Sequence, residues 1–323
     1  MHTYNVRSCS ERLAPYIIRT PLVEVEELNR RLGKRVFLKL ESLQRTGAFK
    51  FRGAMNYMLS LGEEEAARGI ITASSGNHGL GMSLAGQLRG VKCTVVMPVT
   101  APQTKQRRAK AYGASLILHG ADYDEAQVYA KSLAAQEGYI YVPSFNHPRI
   151  IEGQGTMLSE ILEDRPSVDT VIAPVGGGGV LAGLLVARKE MGANHLRLVG
   201  VEAAGAASMQ AALRDGCPST IPNMKTIADG VAVRTVGDLN LEIIKELCPR
   251  LWQVDDEIIL DAQRLLFQES RIISETAGAV SVAGLLEMGL PEDAREVVCI
   301  ISGSNVDLPS LTNLAAANPP LSS

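Results

Sequence analysis

The sequence is poor in aromatic residues and cysteine, and it has no long apolar run. Aromatic side chains make up 4% of the 323 residues, which suits an α/β protein rich in Ala, Val, Ile, Leu and Gly better than an all-β one. No apolar run approaches the roughly 18 residues that can cross a bilayer, so no membrane span is expected. The N-terminus lacks the apolar stretch of a secretory signal.

No charge of one sign dominates either. The 32 Lys and Arg residues against 35 Asp and Glu residues leave a net charge of −3, which excludes the large basic excess typical of proteins that bind nucleic acid or anionic membranes. The absence of HExxH and CxxC motifs predicts that there is no metal site. The cysteines are expected to be free thiols in a reducing cytoplasm. They are Cys9, Cys93, Cys217, Cys248 and Cys299.

Short apolar runs alternate with amphipathic stretches along the chain. The runs predict strands at Val36–Leu40, Ile70–Ala73, Thr94–Met97, Ser115–Leu118, Tyr139–Val142, Thr170–Pro174, Leu196–Val201 and Val297–Ile301. The stretches predict helices at Gly79–Leu88, Pro102–Tyr112, Ala121–Gln136, Gly155–Glu163, Val180–Met191, Asp255–Gln268 and Ala277–Met288. This alternation favours doubly wound parallel sheets, which bind ligands where turns follow the carboxyl ends of strands.

Four consecutive glycines, starting at Gly176, follow one predicted strand and precede a helix. Because they have no side chains, their N–H groups can approach an anion closely, and the helix N-terminus adds positive potential. The segment therefore favours a phosphate site over a simple tight turn. Gly177, Gly179 and Ala182 also satisfy GxGxxG/A, and Glu202 ends the next strand, so a dinucleotide site remains open.

A second turn combines polar side chains with the start of a helix. Ser74, Ser75, Asn77 and His78 offer hydroxyl, amide and imidazole groups beside free helix amides, an arrangement that suits a carboxylate. Helix capping and turn formation would explain the same residues equally well.

Lys50 lies between Phe49 and Phe51 in a glycine-flanked segment that follows a strand. An amine beside apolar rings loses hydration, which lowers its pKa and makes it nucleophilic. Most lysines are solvated surface residues, so the other motifs are needed to favour a chemical role. Ser302 and Asn305 follow the last predicted strand, where strand termination alone is the competing explanation.

Seven motifs occur along the chain and span about residues 5–312. They are TGAFKFRGA, SSGNHG, GQGT, GGGGVLAG, ADGVAV, SETAGA and ISGSNVDL. In this order they resemble the pyridoxal 5′-phosphate (PLP) enzymes of fold type II, closest to the branch of serine/threonine dehydratases and serine racemases. The end of the chain, soon after the last motif, resembles the short catabolic threonine ammonia-lyases.

The resemblance implies an α/β fold of two doubly wound domains with the tryptophan-synthase-β-like architecture. A large PLP-binding domain would comprise residues 1–48 plus 146–323, and a small α/β domain, residues 49–145, would be inserted into it. The resemblance further implies a cytoplasmic homodimer or higher homo-oligomer with a small-molecule amino-acid substrate. Neither nucleic acid nor a membrane is expected as a partner.

Residue roles are carried over motif by motif. Lys50 would form the Schiff base with PLP and then remove the substrate α-proton, with Phe49 beside the ring. Asn77 would reach the ring hydroxyl, and Ser302 would face the pyridine nitrogen. The phosphate would be held by Gly176, Gly177, Gly178 and Gly179. The turn for the substrate carboxylate would comprise Ser74, Ser75, Asn77 and His78.

The implied reaction is that of an ammonia-lyase. It would convert a β-hydroxy-α-amino acid, L-threonine or L-serine, to a 2-oxo acid and ammonia through an aminoacrylate-type intermediate. A neutral Ser302 hydroxyl suits elimination because it does not stabilise a protonated pyridine ring. Ser75, the opposite-face acid/base of the racemases, leaves open a serine or other amino-acid racemase, as well as a 3-hydroxyaspartate or phenylserine dehydratase. The dinucleotide-dependent oxidoreductase and a non-catalytic amino-acid sensor are the rivals from other classes.

Two positions depart from the family pattern. Ser304 replaces the second glycine of SGGN, where a side chain beside the cofactor would narrow the pocket or add a hydrogen bond. Glu202 lacks the aspartate that follows it in cation-binding racemases. It is therefore interpreted as a surface carboxylate near a helix, and no metal is predicted.

Overall fold

The computed structural model describes residues 3–74, 76–247, 250–290 and 292–316. The strands are β1 (Leu22–Glu24), β2 (Arg35–Leu40), β3 (Ile70–Ala73), β4 (Cys93–Met97), β5 (Ser115–Leu118), β6 (Ile140–Tyr141), β7 (Thr170–Pro174), β8 (Arg197–Ala203), β9 (Arg250–Val254) and β10 (Glu296–Ile301). The helices are α1 (Val6–Leu13), α2 (Glu26–Leu32), α3 (Lys50–Leu59), α4 (Glu63–Arg68), α5 (Asn77–Arg89), α6 (Gln103–Ala111), α7 (Tyr123–Glu137), α8 (Pro148–Asp164), α9 (Gly179–Glu190), α10 (Ser208–Asp215), α11 (Asp238–Leu247), α12 (Asp256–Gln268), α13 (Thr276–Met288) and α14 (Leu308–Ala316).

The strands form two sheets. The six-stranded sheet has the order β1-β2-β10-β7-β8-β9, in which β1 runs antiparallel to β2 and the other neighbours are parallel. The four-stranded sheet has the order β5-β4-β3-β6 and is parallel. Strands β3, β4 and β7 are buried over their whole length, as expected where helices cover both faces of a sheet. The predicted α/β fold is confirmed.

All eight predicted strands are present, with ends that differ by at most two residues from the prediction. Strands β1 and β9 were not predicted from the sequence, because their residue patterns are weak signals for a strand. Strand β1 has only three residues, and in the edge strand β9 the polar residues Arg250 and Gln253 interrupt the apolar ones, so neither forms a long apolar run. The sequence predicts that helix α8 starts at Gly155, because the glycines before that point suggest a loop. In the structure the helix begins at Pro148.

Those glycines let α8 pack closely against two other helices. A Cβ atom on Gly153 would lie 2.6 Å from the Cα atom of Gly53 in α3, and one on Gly155 would lie 2.7 Å from the carbonyl oxygen of Gly183 in α9. Contacts this short exclude any side chain. The glycines of the GQGT motif therefore fix the position of α3, the helix that starts at Lys50.

The domain boundaries stay a prediction. The four-stranded sheet lies within residues 70–141, inside the predicted small domain. Helix α1, assigned by sequence to the large domain, contributes Cys9 and Leu13 to a hydrophobic cluster that includes Phe51, Leu80 and Val95 of the predicted small domain. The N-terminal helix therefore packs across the predicted boundary.

A buried ionic network anchors α3 to the six-stranded sheet. The fully buried guanidinium of Arg52 donates to both carboxylate oxygens of Glu41 at 2.7 and 2.8 Å, to both of Glu160 at 2.7 and 2.8 Å, and to the Thr156 hydroxyl at 3.2 Å. These five bonds match the five N–H groups of arginine. Lys39 of β2 donates to Glu160 at 2.5 Å, so two cations balance two carboxylates.

We predict that Arg52→Met destabilises the protein by about 3–5 kcal/mol, because it leaves two buried carboxylates with one cation. Urea unfolding followed by circular dichroism measures the change. Arg30→Ala is the matched control, since that side chain is 75% exposed in a surface pair with Glu27, and its effect should stay within about 0.5 kcal/mol. Equal effects of the two substitutions would contradict the prediction.

Candidate active site

One cavity of about 620 Å³ collects nearly all the site residues predicted from the sequence. It lies where the chain leaves the carboxyl ends of β2, β3, β7 and β10, as expected for parallel sheets. The predicted residues that line it are Phe49, Lys50, Ser74, Asn77, His78, Gly176, Gly177, Gly178, Gly179 and Ser302. Ser75 lies outside the described residues.

Lys50, the first residue of α3, presents its amine to this cavity. Its Nζ atom donates to the carbonyl oxygen of Ser144 at 3.1 Å and lies 5.3 and 5.8 Å from the ring centres of Phe49 and Phe145. Burial lowers the lysine pKa to about 8, although the negative charge of Glu275 opposes this shift. A larger fraction of the amine is therefore unprotonated near neutral pH than in an exposed lysine, which makes it a nucleophile.

The four glycines form the turn between β7 and α9. A Cβ atom on Gly177 would lie 2.5 Å from the Phe145 ring, and one on Gly178 would lie 2.5 Å from Met209 Cε, where φ is also +90°. Within the described residues, none of the N–H groups of Gly176–Gly179 donates a hydrogen bond to the protein. Free amides at a helix N-terminus form an anion site.

Hydrogen bonds within the turn after β3 and to Glu275 orient the polar groups of this turn. The N–H group of Gly76 donates to Ser74 Oγ at 3.1 Å. Asn77 Nδ2 donates to Glu275 at 2.5 Å. Burial, together with the nearby charge of Lys50, lowers the pKa of His78 to about 3. His78 is therefore neutral at physiological pH.

Ser302 and Ser304 face different surroundings. Ser302 lines the cavity, is buried, and donates to the carbonyl oxygen of Ala277 at 3.2 Å. Ser304 is not among the described residues that line the cavity. Its hydroxyl donates to the carbonyl oxygen of Ser42 at 2.9 Å. The departure from the family pattern thus adds a hydrogen bond outside the cavity instead of narrowing it.

Several cavity residues were not predicted as site residues. Glu275 and Lys105 place one negative and one positive side chain in the wall, and Tyr123 and Phe145 add aromatic surface. Glu275 belongs to the SETAGA motif, which was a usable signal. Tyr123 and Phe145 lie in the segments DYDEAQ and VPSFNHPR, which resemble segments of threonine dehydratases and were also a usable signal. Lys105 had no local signal, because only the fold brings it to the cavity.

Glu202 corrects one prediction. It is fully buried, not a surface carboxylate, and it lies outside the cavity lining. Its oxygens accept the N–H groups of Met209 at 2.7 Å and Gln210 at 3.0 Å, so it caps the N-terminus of α10. This position argues against a ribose-binding role in a dinucleotide site.

In the part of the chain that the structure describes, no group of three or more His, Cys, Asp or Glu residues is arranged to hold a metal ion. In the same part, no helix has both the length and the apolar character needed to cross a membrane.

Glu202 generates a pH prediction. Burial raises its pKa from 4.5 to about 7, against the opposing hydrogen bonds from Met209 and Gln210. The folded state then binds a proton more tightly than the unfolded state, so this contribution to stability is present below pH 4.5 and is lost as the pH rises through 7. We expect Glu202→Gln to remove this loss.

The measurement is the thermal midpoint of wild type and Glu202→Gln between pH 5 and 8. The midpoint of the variant relative to wild type should rise with pH across this window, in line with the unequal proton binding. Glu246→Gln, at a 39% exposed surface carboxylate, is the control and should show no such trend. A difference that is independent of pH would contradict the assigned shift.

Comparisons with known proteins identify the family. The chain matches the family described as PALP, pyridoxal-phosphate dependent enzyme, over residues 13–303. It is 39% identical over 304 residues to an L-threonine ammonia-lyase of Thermotoga maritima, covering 94% of this chain and 75% of that protein.

Solved structures agree with this match. The processed form of threonine deaminase isoform 2 from Solanum lycopersicum is similar with a TM-score of 0.90 and 38% identity, over 97% of this chain and 93% of that one. Maize serine racemase is similar with a TM-score of 0.90 and 33% identity, over 95% and 94% of the two chains. The resemblance drawn from the motifs is confirmed, and the chain belongs to the family of pyridoxal-phosphate dependent enzymes.

Proposed function

We propose that this protein is an ammonia-lyase (dehydratase) that converts L-threonine, and also L-serine, to a 2-oxo acid and ammonia. The observation that carries the proposal is that the buried Lys50 amine, with its lowered pKa, shares one cavity with the free N–H groups of Gly176–Gly179. The relatives named threonine ammonia-lyase and threonine deaminase support the substrate class.

The residues present fit PLP, the cofactor of this family. The free N–H groups of Gly176–Gly179 suit its phosphate. Lys50 would hold the cofactor covalently through Nζ, and Phe49 contributes an apolar wall. Asn77 and Ser302 would meet the polar atoms of the ring.

PLP, when bound, supplies an electron sink for the negative charge that develops at the substrate Cα. Lys50 would act as the base, with its Nζ atom taking the proton from the substrate Cα. The turn at Ser74, Asn77 and His78 would bind the substrate carboxylate with N–H, hydroxyl and amide groups. A neutral His78 can donate one hydrogen bond there without adding a second positive charge beside Lys50.

Ser302 favours elimination over transamination. A hydroxyl group cannot compensate a positive charge on a pyridine nitrogen as a carboxylate can. The electron sink is therefore weaker, and departure of the β-hydroxyl group competes better with return of a proton to the substrate. The relatives named L-threonine ammonia-lyase support an ammonia-lyase over a racemase.

The test is to add L-threonine to purified protein loaded with PLP, and to record the absorption spectrum, the ammonia released and the 2-oxo acid formed. We expect a visible absorption band that changes on addition, with ammonia and 2-oxobutanoate formed in equal amounts. Chiral chromatography of reactions with L-serine detects D-serine, the product expected of a racemase. D-serine without ammonia would overturn the proposal, and so would a protein that PLP does not colour.

Lys50→Ala should reduce the turnover of L-threonine by at least about a thousandfold, because it removes the proposed covalent link and the base together. The visible band should shift to that of PLP without a covalent link. Lys189→Ala is the matched control, since that lysine is 57% exposed in a surface pair with Glu246, and its activity should equal wild type. Turnover within tenfold of wild type in Lys50→Ala would exclude the assignment.

A further inference from the structure

A chain of side-chain hydrogen bonds leads from α6 into the cavity. Arg108 of α6 donates to Asn305 Oδ1 and, at 3.1 Å, to the carbonyl oxygen of Thr46. Asn305 Nδ2 donates to Asn77 Oδ1 at 2.8 Å and to the same Thr46 oxygen at 2.9 Å. Asn77 Nδ2 in turn donates to Glu275 at 2.5 Å.

Both ends of this chain fix its direction, since Arg108 can only donate and the negatively charged Glu275 can only accept. Arginine can only donate hydrogen bonds, whereas each asparagine amide can be turned to present either its oxygen or its nitrogen. Because Arg108 requires an acceptor, Asn305 must turn its oxygen to it and its nitrogen to Asn77. Asn77 must then turn its own oxygen to Asn305, which leaves its nitrogen on the side of Glu275 and the cavity.

The backbone around Asn305 is built to hold this arrangement. A Cβ atom on Gly47 would lie 2.7 Å from Asn305 Oδ1, so that glycine, with φ of +75°, leaves the space for the amide. The N–H group of Ser304 donates to the Gly47 carbonyl at 2.8 Å, and that of Phe49 donates to the Ser302 carbonyl at 3.0 Å. Backbone hydrogen bonds therefore join the segment before Lys50 to the segment after β10.

We infer that Arg108 is a positioning residue that, through Asn305, orients the Asn77 amide so that its nitrogen donates into the cofactor site. The inference rests on the proposed function, in which Asn77 meets a polar ring atom of PLP. Arg108 also joins the two sheets, since α6 packs Ala109 into the core around the four-stranded sheet while Thr46 and Asn305 follow β2 and β10. Arg108 itself does not line the cavity.

The test compares Arg108→Met, Arg108→Lys and Asn305→Asp with Arg107→Met. Methionine keeps the packing of the aliphatic stem but donates nothing. Lysine keeps one donor for Asn305. Aspartate keeps Arg108 paired but cannot donate to Asn77, so it breaks the chain at its second member. Arg107 is the exposed neighbour on the same helix and controls for loss of a positive charge.

The readouts are the dissociation constant of PLP, the absorption maximum of the bound cofactor, and the thermal midpoint of the cofactor-free protein. We expect Arg108→Met and Asn305→Asp to raise the dissociation constant of PLP about tenfold, which is the effect expected for one misplaced buried hydrogen bond. Both substitutions should also shift the absorption maximum of the bound cofactor. The dissociation constant of PLP for Arg108→Lys should stay within about threefold of the wild-type value, and that for Arg107→Met should equal the wild-type value.

The outcomes separate this inference from the proposed function. Wild type that does not bind PLP overturns both. If the wild type binds PLP, and Arg108→Met and Asn305→Asp bind it as tightly as Arg107→Met does, only the positioning role is overturned. If Arg108→Met lowers the thermal midpoint, Asn305→Asp decides, because it retains Arg108. Loss of stability with unchanged affinity and absorption in Asn305→Asp also overturns the role.

Discussion

The structure of the site depends on the buried charge of Arg52. An unpaired guanidinium in an apolar interior is so unfavourable that its position dictates the positions of its partners. Glu41 follows β2 and Glu160 lies on α8, so the network joins the sheet, α8 and α3 at one point. Lys50 lies two residues before Arg52 on the same helix. The reactive amine is thus placed by a network that lies outside the cavity.

Glycine serves two distinct physical purposes around this point. In α3, α8 and α9 it allows helices to approach at distances that exclude a Cβ atom. In the turn after β7 the N–H groups of the glycines donate no hydrogen bond to the described part of the protein, and no side chain of these residues blocks access to them. The first use fixes where α3 lies, and the second leaves free the N–H groups that are proposed to bind the cofactor phosphate.

Local chemistry explains which predictions from the sequence were confirmed. Buried parallel strands are continuous apolar runs, so β3 and β7 agree with their predicted ends. Edge strand β9 has no such run, and the helical glycines of α8 have the same appearance as turn glycines. The burial of Glu202 depends on a helix that starts six residues later, and nothing in its own neighbourhood of sequence indicates it.

The sequence by itself determined the alternation of strands and helices, the glycine turn, and the motifs that identify the family, because each depends on residues within a short span. Tertiary structure alone decided that Phe145 and Glu275 lie near the Lys50 amine, and that Arg108 turns the amides of Asn305 and Asn77. Those properties arise from groups far apart in the chain. Burial and the direction of a hydrogen bond exist only once the fold has brought such groups together.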